Sequence, residues 1–185
     1  MELNPFGLEL SWLDRGTFAQ GDDTVHEIAV RRLNMFQFLE FNDLEDGEIK
    51  LILKSQDQPD DEKGILPRYG FSIIHINDNE DIGVIYFAVD NTRRRYLRGH
   101  ISYGVSPAYS GNNYAMKACK IIRQVALAHG FKRLFIGSGY DNIASRKTIE
   151  KLGAIPITAN DVPDDKILQE LQTEKIDMYV WDIMV

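Results

Sequence analysis

The sequence predicts an α/β chain of the mixed (α+β) kind: a mostly antiparallel sheet flanked by helices, with one parallel strand, helix, strand crossover. Three observations predict it. Runs of period-two hydrophobicity follow one another across the first half, separated by polar turns; the period lengthens to that of a helix from Asn113 onward; and a strand-like run then returns before a second helix.

Taken in order, GEIKLILK alternates with period two and reads as a strand, ended by the Pro-, Asp- and Gly-bearing loop SQDQPDDEKG. FSIIHI and DIGVIYFAV follow, separated only by NDNE, so they read as antiparallel neighbours. The basic stretch NTRRRYLR is expected at a hairpin tip. It leads into HISYGV, a fourth strand stopped at Pro107, which has no N–H to give a ladder. From Asn113 to His129, one face carries Ala115, Ala118, Cys119, Ile122, Val125, Ala126 and His129, an amphipathic helix closed by Gly130. RLFIGS is the fifth strand, Asn142 to Leu152 a helix with Asn142 as N-cap and Gly153 at its stop, and EKIDMYVWDIMV the last strand. Within residues 1–45, LELSWL and HEIAVRRL each read equally as strand or helix.

With 185 residues, 44% of them apolar, the chain is long enough for a sizeable core, and one domain over 1–185 is expected. Neither a leader pattern nor an apolar run of roughly 20 residues is present, which points to a cytoplasmic protein with no membrane partner. Cys119 stands alone on the apolar stripe and reads as core; no Cys/His spacing suits a metal, so none is expected. Net charge is −7, yet eleven Lys or Arg against two acids between Asn91 and Glu150 make that stretch +9 and the remainder −16. Such a balance disfavours nucleic acid as a partner and favours a small polyanion held locally.

The segment YGVSPAYSGNNYAMKA supplies the place for one. It joins a strand to a helix N-terminus, where unpaired amides and the helix dipole favour anions. Gly111 permits close backbone approach, Asn112 and Asn113 tolerate positive φ, and Lys117 and Lys120 add charge. No GxxxxGK or GxGxxG pattern occurs, which argues against nucleotidase and dinucleotide chemistry. An ordinary strand-to-helix turn is the competing reading.

At these residues the chain resembles the GNAT (GCN5-related N-acetyltransferase) superfamily. That family's phosphate motif runs Arg or Gln, two residues, Gly, one residue, then Gly or Ala; here Ser110, Asn113 and Ala115 stand at those three positions, after VSP and within NNYA. The second match, DNIASRKTIEKLG, is more specific and is similar to the family's helix after the fifth strand. The resemblance spans about residues 45–156. It implies that amides from Ser110 through Gly111, Asn112, Asn113 and Tyr114 to Ala115 hold the pyrophosphate of acetyl-CoA, the cosubstrate. Asn142 would meet the pantetheine arm and Ser145 the thiol end, while Tyr103, Gly104 and Val105 line the arm where the fourth and fifth strands splay.

Acetyl transfer also needs a proton for the departing thiolate and a neutral amine. Many relatives carry a tyrosine seven residues after the helix asparagine, a position that is Ile149 here, so Ser145 and Tyr140 become the candidates. His100, with an unperturbed pKa of about 6.5, is the candidate base, against a structural reading of the same residue. His75 and His129 read as structural. The expected function is N-acetyl transfer from acetyl-CoA to a small-molecule or peptide amine by a monomer or homodimer, the alternative being a non-catalytic acyl-CoA-binding module. The acidic balance outside the central stretch favours a cationic amine.

Overall fold

A computed structural model describes residues 36–60 and 65–185. LELSWL and HEIAVRRL lie outside the described residues, and everything below concerns the compact unit Phe36–Val185. The antiparallel half is as expected. β1 (Ile49–Asp57), β2 (Arg68–His75), β3 (Glu80–Ala88) and β4 (Ile101–Val105) form one sheet in that order, each antiparallel to the next. In β1, Ile49 and Leu51 face the core while Ile52 is exposed, the alternation that marked it. β2 is buried from Tyr69 to Ile74, as suits a strand covered on both faces.

The RRR run lies, as expected, in the connection of the antiparallel pair β3 and β4, but it is not simply solvated there. A short helix, α1 (Arg95–Arg98), occupies the β3–β4 connection. Arg93 reaches Asp164 and Glu170, and Arg98 reaches Glu174, so the arginines fasten a later helix. After β4 a single 3₁₀ turn, Pro107–Tyr109, precedes α2 (Tyr114–Ala128), which lies across β1, β3 and β4. Its Ala118, Cys119, Ile122, Val125 and Ala126 are buried as the stripe predicts, and Ile121 joins them.

β5 (Arg133–Gly139) and α3 (Ile143–Lys151) follow, also as expected. The sequence reading named no element between Gly153 and Glu174. The structure places there a two-residue strand β6 (Ile155–Pro156), a 3₁₀ turn and α4 (Asp165–Glu174), before β7 (Ile176–Asp182). Asp164 caps α4 by accepting from Lys166 N–H. Ile167 and Leu171, one turn apart, bury it against Phe135, Met178 and Val180, at about 1.5–3 kcal/mol for each of the two side chains. Among the described residues, no helix is long and apolar enough to cross a membrane.

The crossover is where sequence and structure differ most. β5 pairs with β7, and β7 with β6, in a sheet separate from that of β1 to β4. β4 meets β5 through one backbone bond, His100 N–H to Phe135 C=O at 2.7 Å, and no ladder continues it. The two strands still run the same way: His100, before β4, touches Phe135 near the start of β5, while Tyr103 further along touches Ser145 in the helix after β5. Gly99 holds the contact point. Its φ of +71° is open mainly to glycine, and a Cβ there would lie 2.9 Å from Phe135 O. Beyond this apex the sheet opens into a gap.

Candidate functional site

Two segments converge on the gap: the loop after β4 and the turn before α3. In the loop, Gly111 has φ of 86° and Asn113 φ of 61°, so two of the three candidate positions take the left-handed conformation. Asn112 does not; its side-chain amide donates to Tyr109 C=O at 3.2 Å. Among the described residues, nothing accepts a hydrogen bond from the backbone N–H groups of Gly111 to Met116, a run that includes Tyr114 and Ala115. Six unbonded donors in sequence at the start of a 15-residue helix give the loop a local field that favours negative charge.

Ser110 is not among them. Its N–H donates to Pro107 C=O and its hydroxyl to Ser106 C=O, closing the 3₁₀ turn. Nor is Lys117 a free cation: its ammonium pairs with Glu48 and with Asp46, the Glu48 bond holding its pKa above the usual value. Other cations of the basic stretch also pair away from the loop, Arg133 with Asp161 and Arg146 with Asp177. One residue that sequence reasoning missed does reach the loop. Lys151, at the end of α3, donates to Asn113 Oδ1 at 2.6 Å, tying the helices of both halves together.

On the other side, Asn142 Oδ1 accepts from Ser145 N–H at 3.0 Å and caps α3. Ser145 Oγ lies 3.1 Å from Tyr103 Oη, so Asn142, Ser145 and Tyr103 form one chain of bonds bridging α3 and β4. Burial pushes the Tyr103 phenol up to about 12, leaving it a neutral hydroxyl near neutral pH. Because Asn142 presents its oxygen to the helix and keeps its amide N–H₂ in hand, two substitutions separate its roles. Asn142→Ala is expected to cost about 1 kcal/mol in denaturant melts, and Asn142→Asp, which keeps the acceptor, close to nothing.

The remaining candidates stand elsewhere. Tyr140 is partly exposed in the β5–α3 turn, its N–H on Lys175 C=O, and makes no hydrogen bond to the Tyr103–Ser145 pair. Ile149 is fully buried in the main core. His100 is 2% exposed and is not placed to act as a base. Its Nε2–H donates to Asp90 C=O at 2.9 Å and its Nδ1 accepts from Phe135 N–H at 2.9 Å, which fixes the tautomer and occupies both nitrogens. Burial lowers its pKa to about 4. His100 lies just before β4, and its burial comes from its bonds to Asp90 and Phe135 rather than from strand alternation, since Ser102 and Gly104 further along are exposed.

Gly104 faces open space, since a Cβ there would find nothing within 4 Å, and so does Gly139 at the end of β5. The geometry thus defines a class: an α+β protein whose sheet parts between β4 and β5 beside a loop of unbonded amides. Comparison with known families makes the class specific. A model for the acetyltransferase (GNAT) domain matches residues 15–155, and the chain belongs to that family. No curated protein matches the sequence. Among solved structures, it is similar to an acetyltransferase from Agrobacterium tumefaciens (16% identity over 62% of this chain and 60% of that one, TM-score 0.48). It is also similar to a GNAT-family acetyltransferase from Bacillus anthracis (17%, 63% and 67%, 0.47) and to a domain from Methanocaldococcus jannaschii (16%, 62% and 66%, 0.48). The match takes in less than two thirds of the Agrobacterium chain.

Proposed function

We propose that the protein transfers an acetyl group from acetyl-CoA to a primary amine by direct attack. The observation that carries this reading is the run of unbonded amides from Gly111 to Met116 beside the gap between β4 and β5. Those amides, with Gly111 and Asn113 curling the backbone, suit the coenzyme's diphosphate. The open space before Gly104 and Gly139 suits its pantetheine arm, with the Asn142 side-chain amide as a donor along the way. The coenzyme brings an activated thioester. The chain binds and orients it, and exposed backbone of β4 polarises the carbonyl. As the amine nitrogen bonds to the carbonyl carbon, the C–S bond breaks and the thiolate leaves. The amine's surplus proton passes to solvent, because His100 has no free nitrogen to take it. The hydroxyls of Tyr103 and Ser145, 3.1 Å apart beside the gap, would stabilise the departing thiolate, since the position of the relatives' tyrosine is the buried Ile149 here.

A second reading has an observation of its own: His100, the candidate base, is buried with both ring nitrogens bonded, as suits a module that binds acyl-CoA without turning it over. Two measurements decide. Acetyl-CoA at one hundred times its Kd stabilises the fold by about 2.7 kcal/mol, read as a thermal shift; none at millimolar ligand sinks both readings. Release of free thiol with small amines and peptide amino termini separates transfer from binding alone, and acceptors of differing charge test the expected preference for a cationic amine.

A further inference from the structure

The amide loop is spanned by a clamp from the neighbouring hairpin. The turn at 76–79 between β2 and β3 carries Asp78, whose Oδ1 accepts from His75 Nδ1–H at 2.8 Å and from Glu80 N–H at 3.2 Å. Its Oδ2 accepts from Tyr109 Oη–H at 3.2 Å, across from a different segment. Tyr109 immediately precedes the loop and Tyr114 immediately follows it. Both rings rest on the same imidazole, at centroid distances of 5.8 and 5.5 Å from His75, and they lie 6.4 Å from each other. The backbone between those tyrosines is therefore fixed at its two ends by one side chain, His75, which is itself held by Asp78.

We infer that His75, with Asp78 and Tyr109, is the positioning device of the loop, holding the 110–113 backbone in its amide-presenting shape before a phosphorylated ligand arrives. This rests on the coenzyme reading above only for what the loop binds. A four-residue span with Asn113 in left-handed backbone and a freely rotating Gly111 costs free energy to order at the moment of binding. A clamp that organises it beforehand raises affinity without touching the ligand. Both oxygens of Asp78 are engaged in the clamp: the His75 bond holds its pKa below the usual range, and the Tyr109 hydroxyl donates to the remaining oxygen.

The test has two arms. In ¹⁵N relaxation of the ligand-free protein, the wild-type amides of Gly111 to Asn113 are expected near the rigid value of about 0.85 in order parameter, falling toward 0.6 or below in His75→Ala. By calorimetry, the Kd for CoA is expected to weaken about tenfold in His75→Ala and about threefold in Tyr109→Phe, which removes one exposed hydrogen bond and leaves the ring. Tyr109→Phe also covers the case in which His75→Ala fails to fold. Unchanged order parameters in the folded variants overturn the inference, as does a CoA affinity within twofold of wild type in both. If wild type itself fails to bind CoA, the coenzyme reading fails and the relaxation arm still decides whether the clamp is real.

Discussion

Replacing His100 with leucine is expected to destabilise the protein by about 2–5 kcal/mol, because the change strands the buried Asp90 C=O and Phe135 N–H that the imidazole now satisfies, at about 1–3 kcal/mol each. The ring also stacks on Phe135 and meets Phe131 edge-on, so packing is lost as well. In urea titrations the midpoint should fall with little change in slope. The structural reason is the position at the apex of the gap. The His100 backbone donates to Phe135 C=O and its ring accepts from Phe135 N–H, so one residue supplies the bonds that a continuing ladder would have shared among several.

The same residue sets a pH dependence. In the folded protein the His100 pKa is lowered to about 4 by burial, against 6.5 in the unfolded chain, so the folded state binds fewer protons between those values. Stability from this group is complete above pH 6.5 and is lost as pH falls through about 4, up to about 3 kcal/mol in all. His129, whose pKa burial also lowers, acts in the same direction. His100→Gln keeps a polar side chain but does not titrate. Stability measured from pH 7 to 4.5 should therefore fall less steeply in that variant. Identical slopes would show that the imidazole's burial does not govern the acid response.

Strands and helices were legible where burial follows a simple period: Ile49 and Leu51 on β1, Ala118 to Ala126 on α2. α4 was missed because its apolar signal is short, Ile167, Leu168 and Leu171 within five residues, though Asp164 before them was a usable capping cue. Charge was misleading for a related reason. A count along the chain treats neighbours in sequence as neighbours in space, whereas Arg93 pairs with Asp164 and Arg146 with Asp177. Among the described residues, five of the eleven basic residues in the +9 stretch, Arg93, Arg98, Lys117, Arg133 and Arg146, form ion pairs with acids distant in sequence. In the site, the backbone requirements of Gly111 and Asn113 were readable because few residues tolerate positive φ. The Tyr103–Ser145 bond joins residues 42 apart in sequence, and nothing local to either announces it.

Gly104 provides the sharpest separation of function from folding. It lies within β4, paired with Val84, at an ordinary strand conformation, and a side chain there enters empty space. Gly104→Val is therefore expected to leave stability unchanged or raise it by about 0.5–1 kcal/mol, since a β-branched residue suits a strand better than glycine. Yet that empty space is the groove assigned to the pantetheine arm. Filling it should weaken acetyl-CoA binding at least tenfold, the size of a modest overpacking cost of about 1.4 kcal/mol, with Gly104→Ala intermediate. Gly83 is the counter-case across the ladder, because its Cβ would collide with the Gly104 carbonyl, so Gly83→Ala must push β3 and β4 apart and lose stability instead. If Gly104→Val folds normally and binds acetyl-CoA as wild type does, the arm does not pass β4 at this point. The open space there would then belong to some other ligand or to none.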